Sequence, residues 1–367
     1  MQRKAANSCL STSTSPFPSK LKQSAAKGFT ILRTCCRGNR SGRFTGKPSH
    51  VVIYLENPQM DDSLQEALGS VPPFSQYDLK DLAAERLGGL TNRNFLVQSP
   101  DGRFVLRLAG EGTEDYIDRA REQKNAQIAS DVGVNAEILF FDSSTGTMVT
   151  RYIENAITLD IERFRDAAVL ERTGRAFRRL HDSPKPFEGD FNLFEQIDQY
   201  LEVVSQLEAQ LPEGYSSVQE SGDAVRNALA RHTLPSAPCH CDPMVENCID
   251  DGNQVFVIDF EYGGNNDPMW DLGDLSVEGD FSPEQEDILL AAYFGHDPDP
   301  FDVGRMVMYK AMCDLLWTLW GVVQHANQNP ADDFWAYAVG RLQRCRTLMA
   351  TDAFSAHLAA VENGPGS

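Results

Sequence analysis

The hydrophobic period of the chain changes once, near Asp160, and this limits the fold more than any other feature. Upstream, Phe95 and Val97, then Phe104, Leu106 and Leu108, alternate with other residues on either side of Ser99-Pro100-Asp101-Gly102, the pattern of two strands joined by a hairpin turn. A Gly-rich turn, Leu87 to Asn94, precedes them; a helix is expected over 114–131, then strands over 137–141 and 148–153. Downstream the period is helical, and helices are predicted over 160–182, 193–210, 218–231, 284–294, 302–328 and 333–350. The pattern describes an α+β chain: a small antiparallel sheet with one inserted helix, then a larger, mainly helical half.

Charge divides the chain differently. Residues 1–50 hold ten Lys/Arg and no acid, which leaves 23 basic against 53 acidic residues in the remainder. The acidic body disfavours nucleic-acid phosphates and favours cationic ligands. The head, rich in Ser and Thr and without a compact apolar stretch, has the composition of an organelle transit peptide, for plastid or mitochondrion, the alternatives being a disordered basic tail or a misassigned start codon on a soluble cytoplasmic protein. No membrane span is expected, because the longest apolar stretch, Leu315 to Val323, is interrupted by Thr318 and falls short of about 20 residues. Three of the eight cysteines lie in the head, and the odd five that remain argue against a disulfide framework. Cys239-His240-Cys241 with Cys248 lacks the second ligand pair of a structural zinc site.

The helical half is interrupted by 238–275, which carries the chemistry. There His240-x-Asp242-x4-Asn247 is followed, across an Asp251-Gly252 hairpin, by an apolar strand that ends on Asp259. Phosphoryl transfer needs a carboxylate to orient the acceptor, a second oxygen ligand and a further carboxylate for Mg²⁺, and these types stand here in that order. Asp242 would accept the hydroxyl proton, with Asn247 and Asp259 as metal ligands; His240 is expected to brace the loop.

Leu87 to Asn94, Val105-Leu-Arg-Leu108, Arg151-Tyr-Ile-Glu154, Asp259 to Asp267 and Leu316-Trp-Thr-Leu-Trp320 occur in one order over about 77–348. In these motifs the chain resembles the choline/ethanolamine kinase family, within the aminoglycoside-phosphotransferase-like kinases, and the prokaryote-type choline kinases in particular. The resemblance implies a bilobal protein-kinase-like fold, with an N-lobe over 51–155 and a C-lobe over 156–367. It also implies that Gly88, Gly89, Thr91, Asn92 and Asn94 cover the nucleotide phosphates, and that Arg107 takes the place of the usual strand lysine, paired with Glu122. Arg151 to Ile153, at the lobe connection, would offer backbone groups to adenine, with Tyr152 and Ile153 as the nucleotide-binding residues. Trp317 and Trp320, three apart and so on one helical face, would form a cation cage, with Tyr262 as a third wall and Glu278 as a charge partner. Asp271 would support the catalytic loop, while Asp267 and Asp274 are read as caps or surface charge.

These readings converge on an ATP- and Mg²⁺-dependent kinase that phosphorylates the hydroxyl of choline, a cationic alcohol, to give phosphocholine for phospholipid synthesis. The alternatives are ethanolamine or an aminoglycoside-like acceptor, and a nucleotide-binding pseudokinase scaffold. A homodimer is compatible with either. No G-x-x-x-x-G-K-[ST] or G-x-G-x-x-G motif points to another nucleotide chemistry.

Overall fold

The computed structural model describes residues 61–88, 92–110, 117–330 and 332–366. The basic head, Gly89 and Thr91 therefore lie outside the described residues. Helix α1 (Asp62–Ser70), capped by the Asp61 side chain, leads into a five-stranded antiparallel sheet. Its strands are β1 (Ala83–Arg86), β2 (Arg93–Ser99), β3 (Gly102–Leu108), β4 (Ile138–Asp142) and β5 (Thr147–Arg151), in the order β1-β2-β3-β5-β4. Gly102, at φ +129°, closes the β2–β3 hairpin in a conformation that side chains disfavour. The register sets Phe95 opposite Leu106 and Val97 opposite Phe104. That face packs on α1 and on Phe74, whose ring meets Phe104 edge-on at 5.7 Å. Strand alternation sends Arg107 to the other face, where α2 (Arg119–Asp131) lies between β3 and β4 in sequence.

The second half holds eight helices among the described residues: α3 (Ala167–His181), α4 (Leu193–Gln206), α5 (Tyr215–Arg231), α6 (Pro268–Glu278), α7 (Pro283–Phe294), α8 (Pro300–Ala326), α9 (Phe334–Met349) and α10 (Asp352–Asn363). Helices α6, α7 and α8 each open on a proline behind a capping side chain, Asp267, Ser282 and Asp299 respectively. Helix α3 begins later than its apolar period does, because Asp166 caps it and a 3₁₀ turn (Arg163–Arg165) precedes it. The sequence pattern predicted no element at α1 or α10.

Helix α8 is the hub on which α4, α5, α6, α9 and α10 pack. It is apolar enough over its 27 residues to span a membrane, a longer run than Leu315 to Val323 alone suggests. In its apolar 18-residue window 89% of the residues are buried within the structure, so it is a core helix. Two apolar clusters result, one under the sheet and a larger one among the helices. Ala126, Ala129 and Val134, on and just after α2, belong to the larger one, so α2 lies under the sheet yet packs on the helical half. Cys239, Cys241, Cys248, Cys313 and Cys345 are all buried and free.

Strands β7 (Ala237–Cys239) and β10 (Gly264–Asn266) pair with each other, while β6 (Ile157–Thr158), β8 (Cys248–Asp250) and β9 (Val255–Val257) form a second small sheet. These two sheets carry the loops that hold the site.

Candidate active site

The β7–β8 loop is held from beneath by one carboxylate. Asp271, fully buried near the start of α6, accepts the backbone N–H of His240 at 2.7 Å and of Cys241 at 2.9 Å, and lies 3.1 Å from His181 Nε2. Cys241 has φ +68°, a left-handed conformation that these bonds hold in place. His240 reaches the carbonyl of Ile258 through Nε2 at 2.8 Å, so its ring joins the loop to the end of β9. Asp242 follows, with its own N–H 3.3 Å from His240 Nδ1. Asn247 donates Nδ2 to the Asp242 carbonyl at 3.3 Å, and its own carbonyl accepts the Ile258 N–H at 2.9 Å. Asp242, Asn247 and Asp259 are thus drawn together by bonds between their segments.

Asp259, at φ +71°, turns out of β9 toward the sheet. Its side chain keeps 36% of its exposure and faces Arg107 Nη1 at 3.7 Å. Desolvation at its buried Oδ1, and next the neighbouring Glu261, push its carboxyl well above the usual carboxylate range, against the pull of Arg107. Its exposure leaves the direction intact, because Glu261, Glu122 and Asp242 all add to the push. Two polar atoms here lack hydrogen-bond partners: Asp259 Oδ1, an acceptor, and Arg107 Nε, a donor. A cation and a phosphate oxygen are the groups such a pair fits. The hard oxygens of Asp259 and Asn247 suit Mg²⁺.

Arg107 is buried and donates Nη1 to Glu122 at 2.5 Å and Nη2 to the Gly146 carbonyl at 3.3 Å. Arg119 and Glu261, for which the sequence pattern suggested no role, complete the cluster. Arg119 Nη1 lies 2.7 Å from both Glu122 and Glu261, and Asn92 Nδ2 lies 2.9 Å from Glu261. Burial opposes the charge on Arg119, but Glu261 and Glu122 more than offset it and hold the guanidinium above its ordinary range. Glu261 stands two residues after Asp259, and that adjacency was the one signal available.

Of the loop residues, Asn94 donates Nδ2 to the Gly88 carbonyl at 3.2 Å, which shapes the turn, and Asn92 is spent on Glu261. At the lobe connection, the N–H of Arg151 goes to Glu137 at 2.9 Å and that of Tyr152 to Arg103 at 3.1 Å. This narrows the expectation that the connection offers backbone groups to adenine: Ile153 is left as its N–H donor.

On α8, Trp317 and Trp320 meet edge to face at 5.9 Å. Trp320 is buried and also contacts Phe334 at 5.3 Å and Tyr337 at 5.5 Å, both from α9 and both missed in the sequence. Glu278 pairs with Arg341 at 2.6 Å, and Arg341 also reaches Asp314 at 2.9 Å. The charge partner expected for a substrate therefore already has a protein partner. Tyr262 packs half-buried on the larger core. Asp267 does cap α6, but Asp274 is fully buried and accepts from Cys313 at 3.0 Å. The surface reading of Asp274 is corrected, since the partner that lets it be buried sits 39 residues away.

Residues 83–307 match the phosphotransferase enzyme family. A solved choline/ethanolamine kinase family protein from Mesorhizobium loti is 49% identical, with a TM-score of 0.77 over 83% of this chain and all of that one. The chain belongs to the choline/ethanolamine kinase family. Another member, the choline kinase LicA from Streptococcus pneumoniae, is 31% identical, with a TM-score of 0.64 over 79% of this chain and 99% of that one. Protein LicA of Haemophilus influenzae is 27% identical over 275 residues, 72% of this chain and 78% of that protein. As a member of the choline/ethanolamine kinase family the chain is a phosphotransferase that acts on an alcohol group of a small molecule, with the nucleotide use of a kinase.

Proposed function

We propose that this enzyme transfers the γ-phosphoryl group of ATP, with Mg²⁺, to the hydroxyl of choline. The observation that carries this reading is that two neighbouring side chains, Asp259 and Arg107, each keep a buried atom without a hydrogen-bond partner, Oδ1 and Nε, near the charge of Asp242. The nucleotide would lie between an N-lobe of 51–155 and a C-lobe of 156–367. Asp259 and Asn247 would hold Mg²⁺, which when bound neutralises charge on the phosphates. Arg107 would donate Nε to a phosphate oxygen, and Glu122 fixes its guanidinium plane. Asp242 would orient the alcohol and accept its proton as the oxygen attacks phosphorus.

Choline is favoured because a quaternary ammonium offers no hydrogen-bond donor and is recognised by ring faces. Trp317, half-buried on α8, would supply such a face, with the buried Trp320 ring packed edge to face behind it. Ethanolamine is the second reading, favoured by relatives such as a probable ethanolamine kinase of Arabidopsis thaliana, 23% identical over 277 residues. The purified chain assayed with ATP, Mg²⁺ and each alcohol separately decides between them. Choline should give the higher kcat/KM; a preference for ethanolamine would reverse the acceptor assignment, and turnover of neither would end it.

A further inference from the structure

Arg119 has no part in the phosphoryl transfer proposed for this site, yet it is among the most fully engaged charges in the molecule. Only 7% exposed, it lies against Glu122 Oε2 and Glu261 Oε1 from one nitrogen. Glu122 takes Arg107 on its other oxygen, and Glu261 takes Asn92 on the same one. The result is a chain of contacts, Arg107–Glu122–Arg119–Glu261–Asn92, drawn from four segments: β3, α2, the stretch after β9 and the loop before β2. Three carboxylates, Glu122, Asp259 and Glu261, bring oxygens within 4.8 Å of one another. With all three ionised, the state that metal binding requires, Arg107 alone would leave them with two net negative charges where phosphates must enter; Arg119 removes one.

A second grip lies two residues further on. Arg121 donates Nε and Nη2 to the Gly263 carbonyl at 3.2 and 3.0 Å, and Asn125 donates to the same oxygen at 2.8 Å. Helix α2 thus holds the stretch after Asp259 at Glu261 and again at Gly263. From the β4–β5 turn, Gly146 closes over the cluster: a Cβ there would stand 2.9 Å from Arg119 Nε.

We propose that Arg119 is a positioning residue: through Glu261 it ties the Asn92 loop and α2 to the segment that carries Asp259, and so sets where Asp259 meets the nucleotide. The inference rests on the reading of Asp259 as the residue that holds the nucleotide's metal. Lysine keeps the charge but replaces a planar fork with a point charge, which is poorly suited to two carboxylates at once.

The test uses the full chain with Arg119→Lys, Asn92→Ala and the double variant. Three quantities are read: KM for MgATP against kcat, MgATP affinity by calorimetry, and amide hydrogen exchange over 257–263. Arg119→Lys should weaken MgATP binding about tenfold, the scale of lost outer-shell support at metal sites. Exchange over 257–263 should rise, and the KM for the alcohol should stay within about twofold. Because both residues act through Glu261, the double variant should lose less than the product of the single losses. Wild-type MgATP affinity and unchanged exchange in Arg119→Lys would overturn the proposal, as would losses that simply multiply. Should Arg119→Lys fail to fold, Asn92→Ala is measured in the same three ways: weaker MgATP binding with faster exchange supports the proposal, and wild-type values of both overturn it. If wild-type protein phosphorylates no amino alcohol, the acceptor reading fails while calorimetry and exchange still decide the role of Arg119.

Discussion

Replacing Asp271 should damage stability and turnover together, by amounts the structure allows to be worked out. Its carboxylate faces three buried donors: the N–H groups of His240 and Cys241 and the His181 ring, whose other nitrogen lies 2.9 Å from the Tyr293 hydroxyl. A buried donor left unpaired costs about 1–3 kcal/mol. Asp271→Ala strands all three, and with some recovery from water entering the vacated space the loss is about 3–6 kcal/mol, a large part of the roughly 5–15 kcal/mol of a typical domain. Asp271→Asn keeps one acceptor oxygen but turns an NH₂ toward a donor, for about 2–4 kcal/mol. The same bonds hold Cys241 in its left-handed conformation one residue before Asp242, and a misplacement of about 1 Å can cost on the order of 100-fold in rate. Urea unfolding gives the first quantity, and kcat on protein shown to be folded by circular dichroism gives the second. Asp271→Asn with unfolding free energy within about 0.5 kcal/mol of wild type and unchanged kcat would show that this carboxylate is not what holds the loop.

Other outcomes follow from the same geometry. Asp242→Asn should lower kcat by about 10²- to 10⁴-fold with nucleotide affinity nearly unchanged, as checked by steady-state kinetics and calorimetry. Trp317→Ala should raise the KM for choline about 3- to 30-fold and leave the KM for ATP alone, the loss expected of one ring face at a cation site. Because the Asp259 carboxyl is raised, the metal-free folded chain keeps a proton there that the unfolded chain releases, so its contribution to stability falls as pH rises past the ordinary carboxylate range. Mg²⁺ with nucleotide needs the ionised form, so its gain in melting temperature should be larger at about pH 8 than at about pH 5.5.

Local pattern carried much of this fold. Alternation at Phe104, Leu106 and Leu108 and the turn at Gly102 are short-range facts, and the hairpin follows from them. Helix α8 was visible for the same reason, although its ends and its apolar reach depended on neighbours that bury it. The loop from His240 to Asn247 could be read because residue type and spacing lie within one stretch. Arg119 and Glu261, 142 residues apart, leave no such trace, because a buried ion pair exists only once the fold brings its ends together. Tyr337 joins Trp320 from the next helix in the same way, and Asp274 looked like surface charge until Cys313 was found beside it. The lobe connection was narrowed for another reason: of its amides, antiparallel pairing and the Arg103 carbonyl had taken two, those of Arg151 and Tyr152.

A crystal structure with Mg²⁺ and a non-hydrolysable ATP analogue is the sharpest test of the proposed site. Mg²⁺ should lie at about 2.0–2.1 Å from oxygens of Asp259 and Asn247, with the γ-phosphate turned toward Asp242 and a phosphate oxygen on Arg107 Nε. A metal seated elsewhere, or a nucleotide whose phosphates lie away from Asp242, would contradict it.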